Sequence, residues 1–204
     1  MSAPATAVPT GNTYDKYGSR NPIERRLMSG FLARIDETLP ATPPRRVLEV
    51  GVGEGEIAGR ILQRHPDAAI TVLDLPDPDL GAHWRERGLA GVFGDVVALP
   101  FPDGTFDLVL AIEVLEHVPH PAAMLREIAR VGARDVVLSV PWEPVWRIGN
   151  LARGRYVGAL GNTPGHIQHW GRRRFRDLVA HHLDVTAVHS PLPWTVVGAR
   201  VRTR

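Results

Sequence analysis

The stretch that decides the fold is Val47-Leu48-Glu49-Val50-Gly51-Val52-Gly53-Glu54-Gly55. An apolar strand carrying one acid runs into a loop with glycine at alternate positions. A helical pattern follows, with Ile57, Ala58, Ile61 and Leu62 as its apolar residues. Glycine permits a tight turn and lets backbone approach a flat polar ligand at the carboxyl edge of a parallel sheet. The dinucleotide fingerprint needs a third glycine one residue further on, where this chain has Glu56. A plain structural turn is the competing reading of such a loop.

Working outward, strands are expected over 46–50, 69–73, 91–93, 106–112, 135–140, 183–189 and 195–202. Helices are expected over 22–37, 55–64, 80–87, 121–131 and 172–181. Residues 106–112 are almost continuously apolar, as in a strand covered on both faces. Strands alternating with helices predict an α/β fold, a Rossmann-like, doubly wound, mostly parallel sheet. The short link Ser190–Pro193 makes the last two strands an antiparallel pair. Residues 1–21 are expected to be a flexible tail or flap and 22–204 a single domain, with a long irregular lid insert at about 141–170.

The 204 residues are 44% hydrophobic and 23% charged, as in an ordinary globular protein. The absence of cysteine excludes disulfides, thiolate metal sites and cysteine nucleophiles, and fits a cytoplasmic setting. No apolar run is long enough to cross a bilayer, and the first residues do not form a signal peptide. Net charge is only +2, yet beyond Glu143 arginines greatly outnumber acids. That imbalance is either a solvated basic face or an attraction to an anionic substrate, membrane surface or RNA.

The alternating glycines resemble motif I of class I S-adenosylmethionine (SAM) methyltransferases, and the resemblance covers roughly residues 45–202. Asp74 ends the second strand, with Leu75 beside it, where a carboxylate can accept hydrogen bonds from ribose hydroxyls. The resemblance implies further cofactor roles. Gly51, Gly53 and Gly55 form the methionine-side loop, and Glu49 beneath them orients loop amides and the methionine amine. Asp95 holds the adenine amino group and Val96 offers its backbone, while Ile112 lines the pocket. Tyr14, Tyr17 and Arg20 form either a flap over the cofactor or an exposed tail.

A second run, Ala111-Ile112-Glu113-Val114-Leu115-Glu116-His117-Val118-Pro119, follows the fourth strand. If it begins a helical turn, Glu113, Glu116 and His117 fall on one face, and a divalent cation would relieve their mutual repulsion. The run resembles two metal-using branches, the ubiquinone-biosynthesis O-methyltransferases and the small-RNA 3′-terminal 2′-O-methyltransferases. That likeness implies a fourth ligand from the insert, at His166, with His169 as a competing ligand or base. The oxygen and nitrogen set would suit Mg, Mn or Zn. Without a metal, His117 is either a general base or, with Glu116, a residue that caps and packs while His166 and His169 line the pocket. The apolar residues of the insert are either a core-packing lid or a contact with a membrane surface. The resulting expectation is a SAM-dependent methyltransferase that O-methylates a small-molecule acceptor, such as a phenolic secondary metabolite. The rivals are an RNA 2′-O-methyltransferase and a SAM-binding protein without catalysis.

Overall fold

In the computed structural model, residues 20–77 and 79–202 are described. Seven strands form one sheet: β1 (Arg46–Val50), β2 (Ala69–Asp74), β3 (Ala90–Phe93), β4 (Phe106–Ile112), β5 (Gly132–Pro141), β6 (Asp184–His189) and β7 (Trp194–Arg200). Their spatial order is β3-β2-β1-β4-β5-β7-β6. The pairs from β3 to β5 are parallel, and β7 runs antiparallel to both its neighbours. The expected fold class is observed, including the antiparallel strand.

Helices α1 (Pro22–Thr38), α2 (Glu56–Arg64), α3 (Leu80–Glu86), α4 (Pro121–Val131) and α6 (Arg172–His182) cover the sheet. In α1 the reasons are local. Asn21 Oδ1 accepts from the Ile23 amide at 2.9 Å, and Pro22 occupies the first turn, where its missing N–H is harmless. Met28, Phe31 and Ile35 then recur on one buried face. Along β4, Leu108 and Leu110 enter one apolar core while Val109 and Ala111 enter the other. That period-two division explains the uninterrupted apolar run.

The insert departs from its expected irregularity. It contains a sixth helix, α5 (Val145–Ala152), followed by a 3-10 turn at Val157–Ala159. Its sequence hides this helix, because Gly149 and Asn150 are poor helix formers and Ile148 lies 60% exposed. Among the described residues, no helix is long and apolar enough to cross a membrane.

From β1 the chain steps outward to β2 and β3, whereas β4 and β5 build on the other side of β1. The carboxyl ends of β1 and β4 therefore border the topological switch point, where open α/β sheets form a crevice. Both motifs from the sequence leave the sheet there.

Gly91 in β3 supports that edge indirectly. A Cβ at this position would lie 1.9 Å from Trp84 Cε3, and Trp84 also holds the glycine loop. Gly91→Ala should destabilise the protein by about 1–3 kcal/mol through overpacking. Urea unfolding checks this; an unchanged midpoint would contradict it.

Candidate functional site

The three glycines of the first loop all have left-handed backbone, with φ of 65° at Gly51, 54° at Gly53 and 87° at Gly55. At Gly51 space matters as much as backbone. A Cβ there would sit 2.4 Å from Val114 Cγ2, so the two strand-end segments meet only because that carbon is absent. The Gly51 and Val52 amides donate to the Leu73 carbonyl at 2.7 and 3.3 Å. Trp84 Nε1 donates to the Gly53 carbonyl at 2.7 Å, a support the sequence reading missed. A glycine within strand β3 was the available signal, since it leaves room for an indole.

Asp74 closes the other side of the loop. Its carboxylate accepts from the Gly53 and Leu75 amides, each at 2.7 Å. Burial raises the Asp74 pKa, opposed by those two amides and by the charge of nearby His117. A carboxylate has about four lone-pair positions, so acceptor capacity remains for a ligand.

Glu49 lies beneath, only 2% exposed. Its Oε2 has no hydrogen-bond partner. Burial pushes its pKa up to about 8, the Ala58 amide opposes the rise, and Asp74 adds to it. A buried carboxyl oxygen left open under a glycine loop is what a ligand ammonium would satisfy. The donors and acceptors here thus fit a nucleoside carrying an amino-acid tail.

The remaining positions expected to meet a cofactor are less engaged. Asp95 is exposed, and its side chain accepts from the Val97 amide at 3.0 Å, bracing its own turn. Val96 is partly buried beside it, and Ile112 is 8% exposed at the end of β4. Arg20 is exposed, while Tyr14 and Tyr17 lie outside the described residues.

The second motif is a turn, not a helix. Glu113 has φ 59°, which breaks the single helical face expected of Glu113, Glu116 and His117. Its side chain accepts from Trp194 Nε1 at 2.5 Å, and its amide donates to the Ser139 carbonyl at 3.0 Å. The other members converge. Glu116 is 1% exposed, and its carbonyl accepts from the Ile167 and Gln168 amides at 2.9 and 3.0 Å. His117 Nδ1 lies 3.0 Å from the Gly165 carbonyl. A carbonyl only accepts, so Nδ1 carries a proton.

Buried His166 meets His117 edge to face at 4.9 Å and stacks on Trp146 at 6.2 Å. One ligand atom from each of Glu116, His117 and His166 lies within 4.8 Å of the others. The structure therefore brings together three of the four expected ligands and turns Glu113 toward Trp194. His169 also stands apart, exposed, with Nε2 2.9 Å from Asn162 Oδ1. One carboxylate with two imidazoles fits Zn or Mn better than Mg, which favours oxygen.

Residues 48–140 match the family described as a methyltransferase domain. The chain is 35% identical over 147 residues to the ubiquinone/menaquinone biosynthesis C-methyltransferase UbiE of Paracoccus denitrificans, an alignment covering 65% of this chain and 59% of that one. It is 31% identical over 132 residues to the malonyl-[acyl-carrier protein] O-methyltransferase of Geobacter sulfurreducens, covering 60% of this chain and 45% of that one. The chain thus spans about half to six tenths of the length of these relatives. In fold it is similar to magnesium protoporphyrin IX methyltransferase (ChlM) from Synechocystis PCC 6803 with bound SAH, with a TM-score of 0.65 and 16% identity, covering 91% of this chain and 90% of that one. Residues 48–140 thus match a methyltransferase domain of which UbiE is a similar relative, and the doubly wound sheet resembles that of solved methyltransferases.

Proposed function

We propose that this chain is a SAM-dependent methyltransferase acting on a hydroxyl of a small acceptor. The observation that carries the reading is the buried, open Glu49 carboxyl under the glycine loop, with Asp74 beside it and His117 close enough to influence Asp74. SAM supplies an electrophilic methyl group when bound. Glu49 would hold its ammonium, Asp74 its ribose and Asp95 its adenine end, with Ile112 against the methionine portion. With Nδ1 engaged by the Gly165 carbonyl, neutral His117 would take the hydroxyl proton on Nε2 as the nucleophile forms. In the alternative, a Zn or Mn ion held by Glu116, His117 and His166 would supply Lewis-acid chemistry to the acceptor hydroxyl, and His117 would then be a ligand and not the base.

UbiE is named a C-methyltransferase and the malonyl-carrier enzyme an O-methyltransferase. Oxygen is preferred here because an imidazole with a fixed tautomer suits removal of a hydroxyl proton. The exposed Ile148, Val157 and Leu160 of the insert favour an acceptor with an apolar body, or a membrane surface beside the site. The RNA reading draws less support. Arg153, Arg176, Arg200 and Arg202 are engaged by Glu24, Asp177, Asp135 and Asp184.

With a folded-state pKa of about 8, Glu49 is protonated at pH 7 in the free protein. An ammonium partner would ionise it, so SAM binding near pH 7 should release up to about one proton. Calorimetry in buffers of different ionisation heat measures this. Glu49→Gln should abolish the release and weaken SAM at least about tenfold; unchanged binding and proton release would contradict the assignment.

The same raised pKa makes the stability contribution of protonated Glu49 full below the unfolded value. It is lost as pH rises toward about 8, because the unfolded state then binds fewer protons. Glu49→Gln should flatten that fall in unfolding titrations between pH 5 and 8, and an unaltered slope would count against it.

For the acceptor side, native extracts supplied with SAM are searched for masses that gain a methyl group. His117→Ala should lower the rate about 10²–10⁴-fold while leaving SAM affinity within about twofold. Full wild-type activity in a chelator would exclude the metal and leave His117 as base.

A further inference from the structure

We infer that Asn150 is a positioning residue that holds His166 over the Glu116–His117 turn. This rests on the reading of His166 as part of the acceptor site. Asn150 is only 3% exposed, although it lies on a helix whose apolar neighbours Ile148 and Leu151 face outward. A buried amide on such a helix must have its polar atoms satisfied, and each of them is. Its Nδ2 donates to the Gly161 carbonyl at 2.9 Å and to Thr163 Oγ1 at 3.2 Å. Its Oδ1 accepts from Arg153 Nη2 at 2.8 Å, and its backbone carbonyl accepts from the Arg153 and Arg155 amides.

These bonds close the insert on itself. Gly161 packs so tightly on α5 that a Cβ would lie 2.3 Å from the Arg147 carbonyl oxygen, and its φ is 78°. Thr163 Oγ1 also accepts from Trp146 Nε1 at 2.9 Å, and the Trp146 ring stacks on His166. The His166 amide donates back to the Thr163 carbonyl at 3.1 Å. Asn150 thus reaches His166 by two routes from Thr163, one through the indole and one through the backbone. On the other side Arg153 Nη1 bonds Glu24 Oε1 at 3.1 Å, so the unit is anchored to α1. Asn150 touches neither His117 nor the glycine loop; it acts through Thr163.

Amide hydrogen exchange on the full chain tests this without ligand or metal. Asn150→Ala should speed exchange at His166, Ile167 and Gln168 about tenfold or more, with Gly51 and Val52 unchanged. General destabilisation would speed both sets alike. Asn150→Asp keeps the Arg153 contact and the volume but loses both donors, so it should match Asn150→Ala; Thr163→Val removes the shared hydroxyl and should do the same. In parallel, Zn affinity of the wild type should exceed that of each variant by about 10–100-fold, as for groups that orient metal ligands. A wild type that binds no Zn would contradict the metal reading only, since the exchange result stands apart from it. Equal protection of residues 166–168 in wild type and Asn150→Asp, or equal acceleration at both sets, would overturn the inference.

Discussion

The approach of Gly51 to Val114 is the constraint on which the site depends. One residue leaves the end of β1 and the other follows the end of β4, the two strands at the switch point of the sheet. Because Gly51 has no side chain, Val114 packs directly against it. That contact sets the glycine loop beside the Glu116–His117 turn. A methyl donor seated on the first would therefore face groups presented by the second. Catalysis by alignment needs this kind of fixed proximity more than it needs a strong acid or base.

The electrostatics follow from the same geometry. Glu49 and Glu116 are both buried acids near the carboxyl edge, each under a different loop. Burial alone makes the ionised form of Glu49 costly, so its open oxygen favours a cationic ligand group. At the other loop, Glu116 lies with two imidazoles, a set that either shares protons or takes a cation. The insert completes this half. Its segment at Gly165–Gln168 bonds the Glu116–Pro119 turn, and α5 with Asn150 stiffens the segment from behind.

The sheet was legible because its signals are local and repetitive. Apolar runs such as Leu108–Ala111 and the capped start of α1 leave little choice of element. The glycine loop was legible because glycine spacing reports backbone conformation directly, and all three glycines are left-handed. The turn after β4 was harder. A helical face for Glu113 presumed ordinary φ there, and the observed 59° sends that side chain to Trp194 instead. No local signal announces a partner 81 residues away. Helix α5 was hidden for a related reason. Its buried residue is a polar asparagine satisfied by distant groups, whereas periodicity looks for apolar ones.

The most direct test of the account is a crystal structure of the protein with S-adenosylhomocysteine. The account predicts the homocysteine ammonium within hydrogen-bond distance of Glu49, the ribose hydroxyls on Asp74, and the sulfur directed toward His117. A ligand bound away from the Gly51–Gly55 loop, or one whose ammonium leaves Glu49 unbonded, would contradict it.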